Sequence, residues 1–157
     1  MDKYDNHYTT GIGLRTAKLG IRLLRPATDL PQTDAAPIFN IVGGKVLMTL
    51  LIGHITTVLA TVGNISFEEN PTNGTMETIS GVTAVGTYAQ DNLIGITGVP
   101  AGTPVPAAGG GIPGMTTQGV VLRIGTLEQR LSLSDTGQIE YTVFYIPLEV
   151  GSYMSIA

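Results

Sequence analysis

Apolar residues recur along this chain in short runs that are separated by clusters of glycine, proline and asparagine. The clearest pattern lies near the C-terminus, where Ile139, Tyr141, Val143 and Tyr145 occupy every second position. Residues spaced in this way line one face of a β-strand. Regularly spaced short runs with turn signals between them predict an all-β fold, consisting of a single β-sandwich or barrel domain.

The predicted strands cover residues 38–42, 45–52, 55–62, 65–69, 120–124, 127–133, 139–146 and 153–156, with weaker candidates at 82–88 and 93–97. Gly43-Gly44 predicts a hairpin between the first two strands, and the turn at residues 134–137 predicts another before the strand at 139–146. Strict alternation over 46–52 places Val46, Met48, Leu50 and Ile52 on one face and Leu47, Thr49 and Leu51 on the other. A strand that is apolar on both faces belongs in the middle of a sandwich or barrel, or at a subunit interface.

Two segments contain too much glycine and proline for long regular elements. Residues 1–37 are predicted to form an extended N-terminal arm, which leaves residues 38–157 as the β domain. Residues 99–118 are predicted to form an exposed loop within that domain, with no regular element and no catalytic role.

The net charge of −4 is unevenly distributed along the chain. Residues 1–25 carry five basic and two acidic residues, whereas the remainder carries three basic and ten acidic residues. The spacing of the basic residues fits one face of a helix, while the alternation across residues 21–23 fits a strand equally well. A partly solvated arm and a basic helix on a membrane surface are the alternatives to a docking role.

We expect the arm to dock on a neighbouring copy or on a larger shell, with strand addition at a sheet edge as the mode of binding. The expected partner-binding residues are Arg15, Lys18, Ile21, Arg22, Leu23, Leu24 and Arg25.

Composition favours an assembled protein over a free monomer, because 43% of the residues are hydrophobic and only 13% are charged. Much of the uncharged surface is expected to be covered by other subunits, and a homotrimer is the expected assembly. The absence of cysteine excludes disulfides and thiolate zinc sites. Residues 46–62 are rich in β-branched side chains, which favours strands over a membrane span, and no signal peptide is apparent.

The sequence offers little for catalysis or cofactor binding. Gly109, Gly111 and Gly114 have the spacing of a dinucleotide fingerprint, but they lie in a proline-rich stretch without the helix that presents its N-terminus to phosphate. A Gly-x-Ser-x-Gly elbow and a cysteine nucleophile are both missing. We therefore expect no enzyme activity and no cofactor.

Metal and nucleic-acid binding are not expected either. The sequence has two histidines, and His54 is predicted to be a hydrogen-bonded residue inside a barrel or at an interface. Glu68 and Glu69 should lie on opposite faces of a strand, at a solvated strand end, where they cannot act as an acid–base pair. The acidic charge of the β domain disfavours binding to nucleic acid.

The segment IFNIVGGKV at residues 38–46, with LLIG at 50–53 and Thr56-Thr57, resembles the opening of a group of small structural proteins of tailed bacteriophages. TGQIEY at 136–141 through YIPLEVGSY at 145–153 resembles their ending, and Asn70-Pro71-Thr72 fits as well. These proteins resemble capsid decoration, or cement, proteins, which are β-rich, often trimeric, and clamp junctions between coat subunits.

The resemblance implies a virion protein on the capsid surface, whose partners are copies of itself and the major capsid protein. A tail, connector or head-fibre subunit is the alternative with the same all-β composition. A carbohydrate-binding or hydrolytic β-sandwich is a further alternative, which the absence of tryptophan and an aromatic content of 6% disfavour.

Overall fold

The computed structural model describes residues 19–30, 35–60, 63–84, 88–96, 105–107, 119–133 and 135–157, with the backbone alone for 105–107. Over these residues the chain forms two antiparallel sheets that pack as a sandwich, which confirms the predicted all-β fold. The described residues include no helix with the length and apolar character that crossing a bilayer requires.

Within the described part of the chain, each sheet contains six strands. Sheet A has the order β1-β11-β3-β7-β8, and β9 also pairs with β3; its strands are β1 (Ile21–Asp29), β3 (Val46–Thr57), β7 (Leu93–Gly95), β8 (Val105–Ala107), β9 (Val120–Leu122) and β11 (Gln138–Pro147). Sheet B has the order β12-β2-β10-β4-β5, and β6 also pairs with β4; its strands are β2 (Ala35–Val42), β4 (Asn64–Pro71), β5 (Glu77–Thr78), β6 (Thr83–Ala84), β10 (Gly125–Leu131) and β12 (Tyr153–Ile156).

The core lies between the sheets and is built from alternate residues of their strands. The predicted alternation of β11 is confirmed, because Ile139, Tyr141, Val143 and Tyr145 share one face and are all buried in one hydrophobic cluster. From sheet B, Phe67 meets the ring of Tyr141 edge to face, with centroids 6.0 Å apart and an interplanar angle of 88°. Aromatic pairs of this geometry add about 0.5–1.5 kcal/mol beyond the burial of their area.

Gly43-Gly44 and the segment that contains the described residues 135–137 each connect a strand of sheet B to a strand of sheet A, so the two predicted hairpins are wrong. The first turn joins β2 of sheet B to β3 of sheet A, and the second joins β10 of sheet B to β11 of sheet A. A turn signal marks where the chain reverses, but two strands with apolar faces can either pair edge to edge or stack face to face. The local pattern is the same in both cases.

A β-bulge in β3 shifts the alternation predicted for residues 46–52. Met48 pairs with Tyr145 and Leu51 pairs with Val143, so Met48 and Leu51 both face the core although they are three positions apart. The register skips Thr49, whose hydroxyl lies 2.5 Å and 3.2 Å from the carbonyl oxygens of Leu19 and Phe144. The extra residue turns Leu50 away from the core cluster, which single-sequence alternation does not reveal.

The N-terminal arm predicted over residues 1–37 is wrong for the residues that the structure describes. β1 pairs with β11 of its own domain from Ile21 to Asp29, and β2 begins at Ala35. The pairing gives β11 a neighbour on its outer edge, and Leu23 packs beside Val143. Pro26 lies in the irregular part of the register, as expected for proline in a strand at the end of a sheet.

The described residues of the stretch 99–118 are Val105–Ala107, which form β8 against β7, so the prediction of an irregular loop is wrong for them. Pro106 is compatible with this position because β8 is the last strand in the described order of sheet A. The other residues of the stretch lie outside the described residues, and their exposure stays a prediction.

A buried hydrogen bond joins the two sheets at Tyr141, whose hydroxyl donates to Oε1 of Gln129. Burial raises the pKa of Tyr141, which keeps this hydroxyl protonated and able to donate. Tyr141→Phe leaves the Gln129 side chain buried without this donor, and we expect a loss of about 1–3 kcal/mol in unfolding free energy. Denaturant unfolding measures it, and Tyr153→Phe, at a half-exposed position of β12, is the control. Equal stability of the two variants would contradict the prediction.

Candidate functional site

Large apolar side chains are exposed at one corner of the sandwich, around the turn between β11 and β12. We call this set, Ile21, Ile146, Leu148, Val150 and Tyr153, the apolar corner; each is at least one third exposed, and Val150 is fully exposed. Gly20, next to Ile21, packs against Ile146, and Tyr153 pairs with Val42 beside the Gly43-Gly44 turn. β1 and β12 are terminal strands in the described order of their sheets, so the corner lies at an edge of the sandwich.

The turn that carries Val150 is held by its own hydrogen bonds. The backbone N–H of Ser152 donates to the carbonyl of Glu149 at 3.1 Å, and the Ser152 hydroxyl donates to the same oxygen at 2.8 Å. Leu148 N–H donates to the carbonyl of Lys45 at 3.0 Å, and Lys45 Nζ lies 3.5 Å from Oε1 of Glu149. These contacts hold the turn that carries Val150 in one conformation. Binding of a partner at Val150 therefore costs less conformational entropy.

Backbone packing between two turns sets the shape of the corner. Gly43 has φ +77°, and a Cβ there would lie 2.2 Å from the carbonyl oxygen of Gly151. Gly44 packs in the same way against the side chain of Glu149. The turn at residues 148–152 therefore rests directly on the Gly43-Gly44 turn, and only residues without a side chain allow this approach.

Gly43→Ala should destabilise the protein more than Gly151→Ala. Both residues have a left-handed backbone, with φ +77° and +84°, and an alanine there costs about 1–2 kcal/mol. A Cβ at Gly151 meets no atom within 4 Å, whereas one at Gly43 overlaps a carbonyl oxygen and should cost about 1–3 kcal/mol more. Thermal and denaturant unfolding measure the difference. Equal stabilities would show that the turns are not in contact.

The predicted partner-binding residues separate into three groups. Arg15 and Lys18 lie outside the described residues. Ile21, Arg22 and Leu24 are exposed on β1, and Ile21 belongs to the apolar corner. Leu23 and Arg25 lie on the side of β1 that faces the core.

Arg25 is partly withdrawn from solvent and is a poor candidate for a docking contact. Its Nη1 donates to the Thr28 hydroxyl at 2.6 Å, and it pairs across the strands with Tyr141. Burial lowers the pKa of the Arg25 guanidinium, and the charge interaction with Tyr141 opposes that shift. The alternation of β1 places this side chain on the same side as Leu23, at the edge of the core.

The two glutamates Glu68 and Glu69 are buried, so the predicted solvated strand end is wrong. Oε1 of Glu68 lies 2.6 Å from Nε of Arg130, and Oε2 of Glu69 lies 2.8 Å from Nη2 of Arg123. Their separate arginine partners fit the predicted placement on opposite faces. Hydrogen bonding to Glu69 is the main cause that raises the pKa of Arg123, and Glu77 adds to it at 3.2 Å.

His54 is hydrogen-bonded, as predicted, with Nε2 lying 3.1 Å from Oδ1 of Asp91. Asp91 has φ 70°, a left-handed conformation that aspartate tolerates better than most residues. Both side chains are partly exposed on the surface of sheet A. Among the described residues there is no group of three histidine, aspartate or glutamate side chains that could hold a metal ion.

A groove of about 630 Å³ crosses the outer face of sheet B. Ser155, Asn40, Thr126 and Asn70 lie side by side along it, on β12, β2, β10 and β4. The described residues that line the groove include no ionisable side chain, so they offer hydrogen bonds but no acid or base.

Sequence reasoning missed the apolar corner as a site. The only signal for it is the alternation of apolar residues with proline, glutamate and glycine over 146–153, which predicts a strand and a turn but not their exposure. Comparison of the chain with protein-family models, curated proteins and solved structures gives no match. Function is therefore inferred from the geometry and chemistry of this chain.

Proposed function

We propose that this protein is a non-enzymatic capsid decoration protein of a tailed bacteriophage, which binds the outer surface of the head and stabilises the shell. The observation that carries the proposal is the apolar corner, with Val150 fully exposed on a turn fixed by hydrogen bonds. Four of the five residues of the corner lie within residues 136–153, which also carry the resemblance to decoration proteins. The partners are the major capsid protein and further copies of the chain.

The proposed mechanism is burial of apolar area at many equivalent contacts. Full burial of one valine or leucine side chain contributes about 1.5–3 kcal/mol, and association itself costs about 4–15 kcal/mol. Because one corner has few apolar side chains, a single copy of the chain gains little net binding free energy. In a homotrimer, the second and third corners bind at a high effective concentration, which raises the total affinity without new contacts.

Co-sedimentation tests this function. Shells assembled from the major capsid protein are mixed with the purified protein, and the pellet is analysed for both chains. We expect saturable binding with a fixed ratio of the two proteins, and no binding to isolated tails. Binding to tails or connectors, but not to shells, would instead support a tail, connector or head-fibre subunit.

The oligomeric state is tested separately by light scattering. We expect a particle three times the 16.4 kDa mass of the chain at micromolar concentration, because exposed apolar residues and low charge favour assembly. A monomer mass under these conditions would contradict the trimer.

A further inference from the structure

Two buried carboxylates face each other on the outer side of sheet B. Glu68 of β4 and Glu128 of β10 are directly opposite in the antiparallel register, and they are 5% and 9% exposed. Side chains at such positions have Cβ atoms about 4.5–5.5 Å apart, and like charges there are destabilising. The pair therefore needs compensating positive charge.

The described residues that contact the two carboxylates supply only part of that positive charge. Nε of Arg130 lies 2.6 Å from Oε1 of Glu68, in an ion pair whose N–H is not aligned with the oxygen. Oε1 of Glu128 accepts from Nδ2 of Asn70 at 2.9 Å and from the Thr126 hydroxyl at 2.7 Å, which are neutral donors. In these contacts Arg130 pairs with Glu68, and no basic side chain of the described residues forms an ion pair with Glu128.

One oxygen of the pair accepts no hydrogen bond from the described residues. The Glu68 side chain is only 6% exposed, and its Oε2 has no hydrogen-bond partner among the described residues. A buried charged oxygen without a partner is costly, and native proteins satisfy such atoms with an ordered water or an ion. The orphaned oxygen lies on the side chain that faces the second carboxylate.

We propose that Glu68 and Glu128 bind a divalent cation of the calcium class. Calcium prefers carboxylate, amide and water oxygens and accepts irregular coordination, so two carboxylates and several waters form a suitable set. Asn70 and Thr126 orient the Glu128 carboxylate, as outer-sphere partners do in metal sites. The same two residues line the groove on sheet B, so the groove lies beside the hydrogen-bond partners of Glu128.

The bound cation replaces repulsion between β4 and β10 with attraction to a shared charge. These strands lie side by side within sheet B, so the ion stabilises the sandwich itself. The site is separate from the apolar corner and does not depend on the proposed function.

Calorimetric titration of EDTA-treated protein with calcium chloride, at constant ionic strength, tests the site. We expect one saturable calcium ion per chain. At a hundredfold excess over Kd, the melting temperature should rise by about 5–10 °C. No saturable binding by the wild-type protein at about 10 mM calcium would overturn the proposal.

Glu68→Gln and Glu128→Gln locate the site, because each keeps the size of the side chain and removes one charge. Both should lose the calcium-dependent rise in melting temperature, whereas Glu140→Gln, a carboxylate of sheet A, should keep it. Folded variants of Glu68 and Glu128 that retain the rise would overturn the proposal. If neither variant folds, the anomalous signal of calcium in wild-type crystals decides, and an ion bound elsewhere counts against this site.

Discussion

Val150→Asp is expected to abolish binding to the capsid shell while leaving the unfolding free energy within about 0.5 kcal/mol of wild type. Val150 is fully exposed in the free chain, so the substitution removes no intramolecular packing. In the proposed contact the new carboxylate is buried without a partner, which costs about 3–5 kcal/mol. That cost weakens each contact by at least about a hundredfold, and a trimer loses all three contacts together.

Val58→Asp is the matched control for this variant. Val58 is also an exposed valine, but it follows the end of β3 that is remote from Val46 and the apolar corner. Co-sedimentation with shells should give wild-type binding for Val58→Asp and none for Val150→Asp. Wild-type binding by both variants would show that the corner is not the docking surface.

Deletion of residues 1–30 is expected to abolish cooperative unfolding. The deletion removes β1, which pairs with β11 from Ile21 to Asp29, and it removes Leu30, a core residue whose N–H donates to the Gly137 carbonyl at 3.1 Å. The buried Tyr141 and Val143 of β11 would lose their cross-strand partners on β1 and keep only those on β3. Domains are stable by only about 5–15 kcal/mol, so losing one strand of the core sheet should exceed the margin.

Circular dichroism during thermal and denaturant unfolding measures this effect. Deletion of residues 1–18 retains β1, and comparing the two truncated proteins separates the contribution of β1 from that of the preceding residues. A cooperative transition in the 1–30 deletion, with wild-type midpoint, would contradict the assignment of β1 to the domain.

Local periodicity was sufficient to predict strands but not their partners. β12 was predicted with its observed limits, and β11 within a residue or so, because their alternation is regular and bounded by turns. β1 was assigned to an arm because residues 1–37 are rich in glycine and proline, although Pro26 is tolerated where the register with β11 is irregular. Charged side chains are expected at the surface, and Arg25 lies at the edge of the core beside Tyr141.

The polar sites depend on residues that are far apart in the sequence. Arg123 reaches Glu69 and Arg130 reaches Glu68 only because β4 and β10 become neighbours in sheet B. The opposition of Glu68 and Glu128 arises from the same register. Sheet order was not predictable from the chain, so neither the arginine pairs nor the carboxylate pair could be found before the fold.

Cryo-electron microscopy of shells decorated with this protein gives the most direct test of the proposed docking mode. The proposed function predicts density for the β-sandwich on the outer surface of the head, with Leu148 and Val150 against the major capsid protein. Density in which the apolar corner faces solvent, or which lies on the tail instead of the head, would contradict it.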